Sequence, residues 1–411
     1  MTTFKLGNGN HLSVSDDNSS GDTIILGNGI DDVVSAGASQ YDTITLGDGA
    51  GDTVNAGASQ ANHFVGSEYD TITLGNGAGD TVNTDALGSS YGSQHDTIIL
   101  GNGVGDTVNL QGAFNDTITL GNGAGDAVNA VPALGDFSSR SCAITLGNGA
   151  GDTVSVENIL NDTITLGNGA GDKVFSSNPL AAGGNSITVG NGDGDTIFVS
   201  GINIDGNTII VGNGADDSVS FSGRDTTIKV GNGNGDTINL SFDNQSVGNT
   251  ISVGNGKGDV VNDSTGSSNT ITVGNGNDTI YVGKSDTVTV GHGQDSFVFE
   301  QTTPGNIGGV TVTGFDPSKD VITFSSQLTT AVSYHDNAQG NAVITVDNAG
   351  DTITLVGVHS FELHPSDFNF VDPPAVTVDA HQAAENPAIA HDPNTLDPVM
   401  FSNLHGHNFI V

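Results

Sequence analysis

Thirteen aspartates occupy one position of a recurring turn: Asp32, Asp52, Asp80, Asp106, Asp126, Asp152, Asp172, Asp195, Asp217, Asp236, Asp259, Asp278 and Asp295. From Gly27 to Gly254 the aspartate always lies five residues after the first glycine of its turn. A second set, Asp22, Asp42, Asp70, Asp96, Asp116 and Asp162, directly precedes the other strand-like run of the repeat. Carboxylates spaced this way among glycines supply hard oxygen donors, and glycine turns let main-chain carbonyls join them. That is calcium chemistry. Magnesium demands strict octahedral geometry and keeps its waters, and zinc calls for clustered Cys and His, which this chain lacks.

The need for a cation also follows from repulsion. Two like charges about 4.8 Å apart repel by roughly 1 kcal/mol in water and about 3.5 kcal/mol at an effective dielectric of 20. Repeated between a dozen neighbours, that rivals the whole stability of an ordinary domain. The second set is less regular: Cys142 takes its position once, and beyond Asp162 it becomes Asn185, Asn207, Asn249 and Asn269. Calcium on that edge is therefore expected mainly in the N-terminal half.

The elements that must position these carboxylates are short strands. Each repeat, commonly 20 residues long, carries two runs in which β-branched and polar residues alternate, as in Thr43–Leu46 and Thr53–Asn55. Alternation with period two marks half-buried strands, with Ile44, Leu46 and Val54 pointing in and Thr43, Thr45, Thr53 and Asn55 pointing out. No helical apolar stripe is present. The pattern predicts an all-β parallel β-solenoid of about thirteen coils, two strands per coil, over residues 1–295. From Gly27 to Asp259 turn length is constant on the edge holding the aspartates, whereas the opposite edge absorbs every insertion, including those before Asp70, Asp96 and Ala143.

Composition agrees. The 411 residues include 61 glycines, and of 47 acidic residues only Glu68, Glu157, Glu300, Glu362 and Glu385 are glutamate. A formal charge of −39 excludes nucleic acid and anionic lipid as partners, because both need a basic footprint. Cys142 is the single cysteine, so disulfides cannot stabilise the chain. The N-terminus enters a repeat almost at once, without an apolar run resembling a secretory signal peptide, and no stretch is apolar enough to span a membrane.

The stretch VGNGNDTIY, Val273 to Tyr281, resembles the nonapeptide of haemolysin-type (RTX) calcium-binding repeats, GGxGxDxUx. Gly274 and Gly276 match its second and fourth positions, Asp278 the ligand position and Ile280 the buried one. The resemblance implies that aspartates and turn carbonyls of stacked coils share several calcium ions. Most turns here are one residue longer, as in GNGAGD, with Asn where a second glycine is expected. A ladder of Asn28, Asn76, Asn102, Asn122, Asn148 and their successors, bonded to one another without metal, is the alternative for this edge. The two can coexist.

After Asp295 the pattern changes to longer, Phe-richer strands. Residues 296–371, with GFDPSKDVI, GDTITLVGV and the Asp367, Phe368 ending, look like the C-terminal cap and secretion module of proteins exported by type I systems. The resemblance implies an uncleaved C-terminal signal and folding outside the cell. Residues 372–411 hold five of the ten prolines and read as a flexible tail, in which His405 and His407 are expected to be solvated.

No catalytic constellation appears, and repeated carboxylate pairs mark ligands rather than an active site. The expected function is that of a secreted, extracellular or cell-surface calcium-binding repeat protein with a structural or adhesive role. Its expected partners are calcium, cell-surface or matrix glycans and the type I secretion machinery. A non-catalytic export and folding module for absent cargo is one alternative. The Thr-x-Thr pairs, such as Thr43 with Thr45 and Thr71 with Thr73, suggest an ice-binding face as another, although Ile25, Ile99, Ile210 and Lys229 interrupt them.

Overall fold

A computed structural model describes residues 2–371 except 17–19, 38–39, 58–66, 85–91, 132–138, 179–181, 202–203, 241–245, 301–306, 326–331 and 347–349. The centres of the three insertions before Asp70, Asp96 and Ala143, and the expected tail from Asp372, lie outside the described residues. The described chain is an all-β parallel solenoid, its described helix limited to the single turns Ser360–Glu362 and Pro365–Asp367.

Each coil contributes one strand to each of two long parallel sheets. In the first, Thr43–Thr45 pairs in register with Thr71–Thr73, so that Ile44 faces Ile72. In the second, Val54 faces Val82 and Asn55 faces Asn83. Equivalent residues therefore stack on equivalent residues. One column of the first sheet is isoleucine at every coil from Ile24 to Ile271, and each of these side chains is buried. Leu46, Val54 and Ala56, with their counterparts, complete the core, as the period-two alternation requires. Burying one such aliphatic side chain stabilises by about 1.5–3 kcal/mol, and only stacked neighbours can bury it.

The middle coils add a third short strand. Ala113–Phe114, Ser139–Arg140 and Ile159–Leu160 form one small parallel sheet, and Ala182–Gly183 with Ile204–Asp205 another. The parallel stacking continues beyond Asp295: Ser296–Phe299 pairs with Val321–Ser325, which pairs with Phe368–Val371. Buried Phe297, Phe299 and Phe324 widen the core there. The first sheet closes differently, with Gly309–Thr313 pairing parallel to Asp351–Val356 and an antiparallel hairpin, Val332–Asp336 and Ala342–Val346, added beyond it. Its outer strand carries Ser333, His335 and Asp336, a polar edge that resists further strand addition.

Candidate metal centre

Both corners of a coil use the same local device. On the variable edge and in the longer turns of the constant edge, the residue before the inward side chain adopts the left-handed conformation, which swings that side chain under the preceding coil; Asn277 and Gln294, before Asp278 and Asp295 in the shorter turns, do not. On the constant edge it is usually glycine, as at Gly79 (φ 75°) and Gly125 (φ 73°), although Asp31 and Asp216 adopt it too. On the variable edge it is often not glycine: Tyr41 (φ 62°), Tyr69 (φ 58°), His95 (φ 57°) and Asn115 (φ 56°) all do so. Tyr41, Tyr69 and His95 stack face to face with centroids 5.0 and 4.7 Å apart.

All thirteen predicted aspartates of the constant edge fall in one buried column. The backbone N–H of each donates to Oδ1 of its counterpart in the next coil at 2.8–3.1 Å, from Asp32 to Asp52 and on to Asp295. Leu12 opens the series by donating to Asp32, and Asp320, which the turn spacing did not reveal, ends it by accepting from Asp295. Oδ2 is the informative atom. In all thirteen it is buried and has no hydrogen-bond partner. Buried polar atoms are nearly always satisfied, so this series of unpartnered oxygens marks where a proton or a cation would sit.

The second glycine of each turn keeps that space open. A Cβ on Gly49 would lie 1.5 Å from the carbonyl oxygen of Gly29 and 3.2 Å from Oδ2 of Asp52; on Gly77 the distances are 1.5 Å to Gly49 O and 3.0 Å to Asp80 Oδ2. Glycine is required by close approach, since a methyl group there would collide with main chain. In the shorter turn of the family-like stretch, a Cβ on Gly276 would lie 2.3 Å from both Gly256 O and Asp278 Oδ2, and one on Gly274 would lie 2.2 Å from Gly254 O. Carbonyl and carboxylate oxygens thus meet at successive levels of the column, an oxygen-only donor set that fits calcium. Among the described residues no three His, Cys, Asp or Glu side chains converge on one point. A cation here would therefore take carboxylate from the column and complete its shell with main-chain oxygen and water.

Without a cation the column resists ionisation. Burial pushes Asp80, Asp195 and Asp236 up to about 7, against the lowering effect of the N–H each accepts. Asp106, Asp152, Asp217, Asp278 and Asp295 rise to about 6 for the same first reason.

The second column performs the same backbone task with mixed chemistry. Asp22 donates to Asp42, Asp42 to Asp70, Asp70 to Asp96 and Asp96 to Asp116, each at 2.8 Å. Cys142 stands next and donates to Asp162 at 2.7 Å; burial pushes its thiol up to about 12. Asn185, Asn207, Thr226, Asn249 and Asn269 follow, accepting through Oδ1 or, at Thr226, Oγ1. Asn269 then donates to Asp286, so the acid returns near the C-terminal end of the repeats. Here the second carboxylate oxygen finds a protein donor at two coils, where Ser67 Oγ reaches Asp70 at 2.9 Å and Ser93 Oγ reaches Asp96 at 2.8 Å, whereas Oδ2 of Asp116 and Asp162 is buried without a hydrogen-bond partner as on the constant edge.

The expected asparagine ladder is present as well, on the exposed rim of the constant edge. Asn122 Oδ1 accepts both the N–H of Asn148, at 3.0 Å, and its side-chain amide, at 2.8 Å. The same pairing runs from Asn76 to Asn275. Asparagine ladder and aspartate column therefore coexist, one outside the other. Thr226 and Asp320 were missed because one lacks the acid and the other follows an irregular segment, whereas Asp286 stands directly before a regular repeat strand, Thr287–Thr289, and was legible; the signal available was an acid or hydroxyl directly before a β-branched strand residue. No protein-family model and no curated protein matches this chain.

Proposed function

We propose that this is a secreted calcium-binding repeat protein whose aspartate column is neutralised by ions on folding outside the cell, and whose role is structural or adhesive rather than catalytic. The observation that carries this reading is a contrast inside one chain. Asparagine and threonine accept the inter-coil N–H on the variable edge as well as aspartate does, so hydrogen bonding alone does not require a carboxylate. On the constant edge every coil from Asp32 to Asp320 nevertheless supplies one. What aspartate adds over asparagine is charge, and a buried series of charges with unpaired Oδ2 atoms calls for a cation.

The chain's own residues divide the work. Each Oδ1 ties two coils through the N–H it accepts, while each Oδ2 and the glycine carbonyls beside it remain available to a hard ion. Bound calcium would supply the positive charge that lets the column ionise. Because the sites need two stacked coils, binding and folding are one event. Circular dichroism through a calcium titration, with magnesium as control, tests this: little β signal is expected in chelator at pH 8, with cooperative recovery in sub-millimolar to millimolar calcium. A full solenoid spectrum in chelator at that pH and low salt sinks it.

The export-module reading shares the calcium chemistry and differs in having no surface ligand. Calcium-dependent retention on cells or matrix glycans favours adhesion, and no retention favours the module. The threonine columns of the first sheet support the ice-binding reading in part, since Thr43 faces Thr71 and Thr45 faces Thr73; Ile99 and Ala143 break the array in nearby coils. Absence of thermal hysteresis removes that reading.

A further inference from the structure

Where the second column has become neutral, one buried carboxylate lies off the repeat. Asp263 follows Asn262, at the end of a second-sheet strand, and is fully buried. Asp286, in the next coil, is fully buried too, and the two carboxyl groups lie within hydrogen-bonding reach of each other. Neither has a Lys, Arg or His partner among the described residues.

The remaining contacts are partial. Asp263 Oδ2 accepts from Asn269 Nδ2 at 2.7 Å, while its Oδ1 is buried with no hydrogen-bond donor. Asp286 accepts from the N–H of Asn269 at 2.9 Å and from that of Gly283 at 2.7 Å. Two glycines open the space around them. A Cβ on Gly283 would lie 2.6 Å from the carbonyl oxygens of both Asp263 and Gly266 and 2.8 Å from Asp286 Oδ2. One on Gly266 would lie 1.8 Å from the orphaned Asp263 Oδ1.

We propose that Asp263 and Asp286, with the carbonyls of Asp263 and Gly266, form a divalent-cation site of a different kind from the aspartate column and on the opposite edge. Four oxygen donors of this type, with no nitrogen or sulfur, select a hard ion that accepts irregular geometry and completes its shell with water, which is calcium. Two facing carboxylates sealed from water cannot both be ionised without such an ion. Consistent with this, burial and then the charge of Asp286 push Asp263 up to about 9 in the metal-free protein. The site ties Asp263, at the end of the Val260–Asn262 strand, to Asp286, before the Thr287–Thr289 strand of the other sheet. Among the described residues the one other acid at the Asp263 position is Asp16, after the Ser13–Ser15 strand, and unlike Asp263 it is only half-buried.

The test counts ions on the full chain by native mass spectrometry in calcium, comparing the unaltered protein with Asp263→Asn. One fewer bound ion is expected. If Asp263→Asn lowers folding yield, Gly283→Ala keeps both carboxylates and fills the cradle; it should also lose one ion. An unchanged count in both variants overturns the proposal and means that the pair shares a proton, while leaving the column reading intact. One ion in the unaltered protein and none in Asp263→Asn would support this site and sink the column reading. No ions in any variant would overturn both.

Discussion

The two edges of this solenoid run the same backbone circuit with different chemistry. On both, the inward side chain accepts an N–H from the preceding coil, and the residue before it turns left-handed except before Asp278, Asp295 and Asp320. The constant edge fills that position with aspartate alone, leaves Oδ2 bare from Asp32 to Asp295 and holds its turn length fixed from Gly27 to Asp259. The variable edge uses Asp, Cys, Asn or Thr, gives Asp70 and Asp96 serine partners, and takes up insertions. The lesson is that hydrogen-bond geometry tolerates substitution, whereas the proposed sharing of counter-ions along a chain of charges would not. A column that binds nothing would be free to vary.

The comparison breaks most sharply if charge is removed without disturbing the circuit. Asp126→Asn, Asp152→Asn and Asp172→Asn together keep every Oδ1 acceptor. An ion at a hundred times its dissociation constant stabilises by about 2.7 kcal/mol, so losing three should remove about 8 kcal/mol of calcium-dependent stability. The same variant should be more stable than the unaltered chain in chelator at pH 8. Chemical denaturation with and without calcium measures both, and an unchanged calcium increment would end the distinction between the edges.

Acid should substitute in part for calcium. Column carboxyls pushed up to about 6 or 7 bind protons more tightly folded than unfolded, where their value is near 3.8. Their protonation therefore favours folding fully below about pH 4, and that contribution is lost as pH rises through 6 to 7. Thermal melts in chelator should show the midpoint falling between pH 5 and pH 8. Calcium should reverse the trend, because protons compete with the ion for the same oxygens.

A glycine pair separates close approach from backbone conformation. Gly149→Ala places a Cβ 1.5 Å from the carbonyl oxygen of Gly123, whereas Gly151→Ala, at φ 75°, meets nothing within 4 Å. The first should reach or exceed the upper end of the ~1–3 kcal/mol typical of overpacking, and should weaken calcium binding as well. The second should cost about 1–2 kcal/mol, the left-handed penalty alone. Equal losses in urea denaturation would mean that the oxygen-lined space is not needed.

The smallest effect is expected on the variable edge. Tyr69→Gly relieves a left-handed tyrosine but removes its stacks with Tyr41 and His95, each worth about 0.5–1.5 kcal/mol, so the net change should stay within about 1 kcal/mol. A larger loss, read from the thermal midpoint, would show that the aromatic ladder rather than the carboxylates holds that edge.

Much of this was legible beforehand because the repeat converts spacing into position. Ile44, Val54 and Asp52 could be placed from alternation and turn length alone, since every coil restates the same solution. Thr226 and Asp320 were not, because one lacks the acid and the other follows an irregular segment, Asp316–Lys319. Asp263 was invisible for a stronger reason: it takes a position that the neighbouring coils fill with apolar residues such as Leu240 and Val282, and its significance depends on Asp286 lying beside it.

The sequence by itself determined the period, the inward faces and the identity of the acid column, because in-register stacking makes each of these a local property repeated many times. Only the tertiary structure decided which carboxylate oxygen is satisfied and which is bare, how asparagine rim and aspartate column divide one edge, and that Asp263 meets Asp286. Those depend on contacts between coils about twenty residues apart, where a side chain's partner is set by three-dimensional register and not by its neighbours along the chain.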